Sequence, residues 1–249
     1  KIYNFTNRER HDYLLYKNII KLEDGNIIIP LLFWFCLESH LSLPLISLQY
    51  CSIILDLEFE SKDNIYFGEN ELTLSGELMI DYISLDTDER RFFAQSPSQY
   101  LIDQIQMVEY PIKNLEENYR LNFNHPCKEI CWVIKDDKNN EYTNNLESVA
   151  ILCNGHNRTE QKNAMYFSKI QPYQNGRNYM KGVYSYSFSL NPNDFQPSGS
   201  MNFSRIDNAS LKCVFKSLED MDNPKIKIYA INYNFLKIQS GMMGPMYSN

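Results

Sequence analysis

Polar and apolar residues alternate in short runs along this chain, and no long helical period interrupts them. Residues 183–190 set Tyr184, Tyr186 and Phe188 against Val183, Ser185, Ser187 and Ser189. Residues 100–110 set Leu101, Asp103 and Ile105 against Ile102, Gln104 and Gln106. Successive side chains of a strand point to opposite faces, so a period of two predicts half-buried strands. Further strands are expected at 27–35, 44–59, 71–85, 119–123, 130–135, 147–153, 209–215 and 225–236. Ile53 and Ile54 break the alternation within 44–59, which predicts a bulge or a change of face. Asp86-Thr87-Asp88-Glu89 carries helix-capping chemistry, so one helical turn is expected at 90–95, ended by Ser96-Pro97-Ser98. A second helical turn is expected at 159–164. Glu23-Asp24-Gly25-Asn26 and Asn154-Gly155 read as tight turns. Loops are expected at 37–43, 61–70, 136–145 and 171–182.

Short strands without a βαβ rhythm predict an all-β sandwich. The pattern alone admits an immunoglobulin-like sandwich or a jelly roll. The absence of a Cys–Trp–Cys arrangement weighs against the first. A chain of 249 residues holds one large or two small domains, and 43% apolar residues suffice for a core. The 18 Tyr and 14 Phe favour β structure.

A net charge of −7 argues against non-specific nucleic-acid binding, which needs a basic patch to neutralise phosphates. The longest apolar run, 27–36, is short for a bilayer span and contains Pro30, and no secretory leader opens the sequence; a soluble protein is expected. Cys36, Cys51, Cys127, Cys131, Cys153 and Cys213 are scattered, which reads as reduced, buried thiols.

Each candidate reactive group has a plainer reading. His125, Cys127 and Cys131 lack the second ligand pair of a zinc site and read as strand residues. His11, His40, His125 and His156 are too dispersed to suggest a cupin-type metal centre. Asp86, Asp88 and Glu89 beside Arg90 and Arg91 read as capping and interdomain salt bridges rather than an acid–base pair. The sequons at Asn4, Asn157, Asn202 and Asn208 are read as unmodified. The stripe Tyr184, Tyr186 and Phe188 is a sugar-stacking platform on one reading and core or subunit interface on the other. There is no Gly-rich phosphate loop and no G-x-S-x-G elbow. No catalytic residue, cofactor or metal is expected, and the chain is not expected to be an enzyme.

The last quarter carries a dense polar constellation: Asn202, Ser204, Arg205, Asp207 and Asn208, within QPSGSMNFSRIDNAS. On a strand, Arg205 and Asp207 would share a face and staple a neighbouring loop. The block continues to YAINYNFLKIQSGMMGPMYSN at 229–249. Upstream stand IPLLFWFC at 29–36, carrying Phe33, Trp34 and Phe35, then LSLPLISLQY at 41–50. DYISLDTDERRFFAQ at 81–95 carries Asp86, Arg90 and Arg91. YLIDQ, KEICWV and NGHNR follow at 100–104, 128–133 and 154–158.

Taken together, these blocks resemble the major capsid proteins of nucleocytoplasmic large DNA viruses, the double jelly-roll family of iridoviruses, phycodnaviruses and mimivirus. Residues 37–40 depart from that family by losing a Pro-Gly turn, and 242–246 by being bulkier than its glycine-rich tail. The resemblance implies two jelly rolls in tandem. Residues 1–95 would be the C-terminal half of the first and 96–249 the complete second. An upstream segment or a separate chain would supply the missing strands; the role of 1–24 is unassigned. The resemblance further implies homotrimers forming pseudo-hexagonal capsomers of an icosahedral shell, with neighbouring capsomers and minor capsid proteins as partners. The virion is the expected location and the host cytoplasm the site of assembly, with no direct nucleic-acid contact and only an indirect relation to an inner membrane. The alternative is a carbohydrate-binding or minor capsid or decoration jelly roll.

Overall fold

A computed structural model describes residues 20–21, 27–29, 31, 33–36, 39–57, 75–136, 143–219 and 221–247. The expected turn at 23–26 and loop at 61–70 lie outside them. The strands are β1 (Ile20–Lys21), β2 (Ile27–Ile28), β3 (Ser98–Pro111), β4 (Glu116–Arg120), β5 (Pro126–Lys135) and β6 (Leu146–Cys153). They continue with β7 (His156–Asn163), β8 (Val183–Ser187), β9 (Met201–Asn202), β10 (Ala209–Phe215), β11 (Lys225–Gln239) and β12 (Met242–Pro245). Two α-helices occur among the described residues, α1 (Thr87–Gln95) and α2 (Gln171–Gln174). The chain divides into two units.

The larger unit comprises 1–42, 100–236 and 245–249. Its strands form two arrays, β3-β11-β5-β8 and β4-β10-β6-β7. Apart from the β6–β7 hairpin, each long strand crosses to the other array before the next begins. Eight strands ordered this way make a jelly roll. The core lies between the arrays. From one come Ile130, Trp132, Ile134, Ile226 and Ile228; from the other come Val149, Ile151, Leu211, Cys213 and Phe215. Trp132 is completely buried, with the Phe167 and Tyr184 rings centred 5.3 and 6.0 Å away. Large aromatic rings bury the most apolar area per residue, so these positions dominate the core.

A bulge interrupts β5. Ile231 pairs with Glu129 and Asn232 with Cys127, which leaves Lys128 as the extra residue. The insertion resets the alternation. Cys127 joins Ile130 and Trp132 in the main core, while Cys131 and Val133 face the opposite side with Val183. The hairpin turn between β6 and β7 is Asn154-Gly155, with φ of 50° and 81°, the left-handed pair that a two-residue turn requires.

The smaller unit comprises 43–99 and 237–244. In it α1 is longer than the single turn expected. Glu89 N donates to Asp86 Oδ1 at 2.8 Å and Asp86 N donates to Glu89 Oε2 at 3.1 Å, a complete capping box. Ser47 Oγ donates to the Phe93 carbonyl at 2.5 Å. The tip between β11 and β12 turns at Ser240 (φ 55°) and Gly241 (φ 79°), and Tyr50 N donates to Gly241 O at 2.9 Å.

Several expected elements differ. Among the described residues of the apolar run 27–35, Ile27–Ile28 alone is strand, and a 3-10 turn forms at Trp34–Cys36. There Phe33 stacks on Phe35 at 5.1 Å and Trp34 meets Tyr100 at 5.0 Å. Residues 44–57 hold a 3-10 turn, Leu45–Ser47, and no strand, and 75–86 hold none either. Alternation makes a segment able to be a strand; a neighbour with free backbone groups makes it one. Among the described residues no strand ladders with either segment; the backbone bond of Tyr50 N to Gly241 O stays isolated. Of the expected helical turn at 159–164, residues 159–163 belong to β7, because β6 supplies that ladder, and only Ala164 is helical. The 171–182 stretch opens with α2 instead of a loop, directly after a π-helical turn, Tyr166–Ile170.

Candidate functional site

Among the described residues, the groups that the sequence singles out do not converge on one site. His125 is buried, with φ of 67°, at the start of β5. Cys127 Sγ donates to the Glu129 carbonyl at 3.1 Å, and Cys131 lies on the other face. Burial pushes the thiols of Cys127, Cys131 and Cys213 well above their ordinary range, which keeps them protonated and poor nucleophiles. Cys36, by contrast, is exposed, against the expectation of buried thiols. Among the described residues no three His, Cys, Asp or Glu side chains converge as they would around a metal.

The helix-capping cluster is occupied by its own helix. Asp86 and Glu89 satisfy the first turn of α1. Arg91 reaches Asp88 at 3.7 Å, an exposed pair within that helix, and Arg90 is exposed too.

The polar block of the last quarter pins loops, with a different set of atoms from those expected. Residues 203–205 form a 3-10 turn and 207 a bend, so Arg205 and Asp207 do not share a strand face. Both are exposed, and no ion pair joins them. The pinning falls to shorter side chains. Asn202 Oδ1 accepts from Ser204 N at 3.0 Å, and Ser204 Oγ accepts from His125 N at 2.9 Å. Asn208 N donates to Asn154 Oδ1 at 3.0 Å, and Asn154 N donates to the Asn208 carbonyl at 2.7 Å. Short polar side chains at a turn bond nearby backbone at little entropic cost, whereas Arg pays for several ordered torsions.

The sugar-platform reading of the Tyr stripe is overturned. Tyr184 is 2% exposed and Tyr186 is buried beside it, both within the core. Phe188 continues inward, 5.9 Å from Phe203. Burial pushes the Tyr184 phenol up to about 12.

A second polar system lies on β5 and β11, and the sequence reading did not single it out. Lys128, the bulge residue, donates to Asp103 of β3 at 2.5 Å. Arg177 pairs with the fully buried Glu129, and its Nε donates to Asn193 Oδ1 at 2.8 Å. Asn232 and Asn234 of β11 donate to Gln106 and Gln104 of β3, each at 2.8 Å. Lys-Glu inside the apolar run CKEICWV was the available signal: two charges in a buried strand demand partners.

What the structure does present outward is apolar surface. In the smaller unit Ile54, Leu78, Ile80 and Tyr82 are exposed, and Met79 is 82% so. In the larger unit Met165, Ile170, Tyr173, Tyr179 and Leu190 are exposed. Clustered exposed apolar residues mark interaction surfaces. Among the described residues no helix is long and apolar enough to cross a membrane.

Known proteins share this fold. The family described as large eukaryotic DNA virus major capsid protein matches residues 89–244, and that of the major capsid protein N-terminus matches 9–99. The chain belongs to the major capsid proteins of large eukaryotic DNA viruses. Within that family, it is 39% identical to the major capsid protein of Pyramimonas orientalis virus, over 90% of this chain and 61% of that protein. It is 35% identical to the major capsid protein of Paramecium bursaria Chlorella virus 1, over 89% of this chain and 66% of that protein. It superposes on the solved VP54 of PBCV-1, fitted into a reconstruction of the virophage Sputnik, with a TM-score of 0.74 and 30% identity. That superposition covers 99% of this chain and 78% of VP54. The chain thus spans 61–66% of the length of these two curated relatives.

Proposed function

We propose that this chain acts as a capsid subunit, by burial and shape complementarity and without catalysis. The observation that carries this reading is the superposition on VP54 across 99% of the chain. In the reading, residues 96–249 form a complete jelly roll and residues 1–95 the C-terminal half of another. Copies associate as homotrimeric, pseudo-hexagonal capsomers, which meet neighbouring capsomers and minor capsid proteins in an icosahedral shell. Assembly takes place in the host cytoplasm, and the virion is the final location. The protein touches nucleic acid at no point and the inner membrane only indirectly.

The smaller unit supports the incomplete first sandwich. Its segments 51–57 and 75–85 alternate as strands do, yet they have no ladder partner among the described residues and expose Ile54, Leu78, Met79 and Tyr82. An upstream segment or a separate chain would pair with them and cover that surface. Native mass spectrometry of the complete polypeptide tests the reading. A trimer is expected; a monomer that persists at high concentration counts against it. Amide exchange at 51–57 and 75–85 is expected to be fast in this chain alone and strongly slowed in assembled shells.

A further inference from the structure

Between β7 and β8 the chain leaves the sandwich for a helical excursion, residues 164–182. Its charge differs from that of the chain around it. No Asp or Glu occurs between Glu160 and Asp194, whereas Lys162, Lys169, Arg177 and Lys181 do, in a chain of net charge −7. The inner side of the excursion is anchored. Phe167 is buried with its ring 5.3 Å from Trp132 and 6.3 Å from Tyr186. Gln171 Nε2 donates to Tyr166 Oη at 2.9 Å, and its Oε1 accepts from Ser187 N at 3.3 Å. Arg177 is held by the buried carboxylate of Glu129.

The outer side is apolar and cationic. Met165, Ile170 and Tyr179 are exposed, and Tyr173 is 82% so. Lys169 Nζ lies 5.2 Å from the Tyr179 ring centre. An anchored backbone has little conformational freedom left to lose on association. Tyr and Met are enriched where interfaces are buried, and Tyr supplies many of the anchors that dominate their energy. Flanking ammonium groups favour a partner that presents carboxylates. A second copy of this acidic chain meets both requirements.

We propose that the 164–182 excursion is a subunit contact that docks on an acidic surface of a second copy, with Ile170 and Tyr173 as apolar anchors and Lys169 and Lys181 facing its carboxylates. The assignment rests on the shell-forming reading above and adds which surface makes the contact. The test compares the full chain with Ile170→Ala/Tyr173→Ala and with Lys169→Glu/Lys181→Glu, by sedimentation and native mass spectrometry over a concentration series. Each pair is expected to weaken association by roughly thirtyfold or more, the scale of a hot spot. The thermal midpoint should hold, because these side chains are exposed. Should a variant fail to fold, the wild-type chain still decides. Carbodiimide cross-linking of mixed unlabelled and nitrogen-15-labelled copies is expected to join Lys169 or Lys181 to an Asp or Glu of the other copy. Wild-type assembly by both variants, with no such cross-link, overturns this contact and leaves the capsid reading standing. A wild-type chain that stays monomeric at every concentration overturns both. A monomer that instead binds nucleic acid through Lys169 and Lys181 also overturns the contact.

Discussion

At the scale of single residues, the decisive groups are Lys128, Glu129 and Arg177. A strand that buries both faces has no room for unpaired charge. Lys128 escapes through the bulge to Asp103, and Glu129 meets Arg177 from the excursion. Taking both charges from water is expensive, and only mutual attraction with added hydrogen bonds offsets it. Glu129→Gln leaves Arg177 buried without its counter-charge, so a loss of about 3–5 kcal/mol is expected. Combining it with Arg177→Met is expected to recover most of that loss, since an apolar side chain needs no partner. Denaturant melts of the two variants check this. If Glu129→Gln alone costs under about 1 kcal/mol, the pair is not desolvated as described.

At the scale of elements, the block from β9 to β10 shows how a turn differs from a strand of the same composition. Asn202, Ser204 and Asn208 hold loops through backbone hydrogen bonds, and Arg205 and Asp207 point to solvent. Ser204→Ala removes the acceptor for His125 N and is expected to cost about 1 kcal/mol. Arg205→Ala is expected to change stability by less than about 0.5 kcal/mol, as exposed substitutions do. Thermal melts of the two, run side by side, are diagnostic. The reverse ranking would return the stapling role to Arg205.

At the scale of the whole molecule, the aromatic core ties stability to pH. Burial raises the phenol of Tyr184 to about 12 from an ordinary 10.0, and raises those of Tyr119 and Tyr186 as well. Below pH 10 these groups are neutral in folded and unfolded chains alike, so their contribution is constant. Above it the unfolded chain releases protons that the folded one retains, so stability falls as pH rises from about 10 towards 12. Tyr184, whose phenol is pushed to about 12, contributes a slope of up to about 1.4 kcal/mol per pH unit in that window. Phenolate absorbance is expected to rise in two phases, exposed Tyr first and buried Tyr together with unfolding. A single phase complete near pH 10 with the fold intact would sink this account.

Much of the second sandwich was legible in the sequence. The strand at 209–215 was expected where it lies, those at 100–110, 130–135 and 147–153 nearly so, and the turn at Asn154-Gly155 and the cap at Asp86 follow from local chemistry. Alternation and turn residues act within a few positions, so a single segment displays them. The bulge at Lys128 was not legible, because only pairing against β11 shows that one residue is extra. The core reading of Tyr184 and Tyr186 stood among the two that the stripe admits, but alternation reports two faces without saying which one meets the other sheet, so only the structure chose it. Sequence by itself determined the alternation, the turn and cap signals and the family blocks. Tertiary structure alone decided which alternating runs became strands, which polar groups pinned loops and which apolar side chains stayed outside. Those outcomes depend on neighbours distant in sequence, whose backbone groups and surfaces complete or fail to complete each segment.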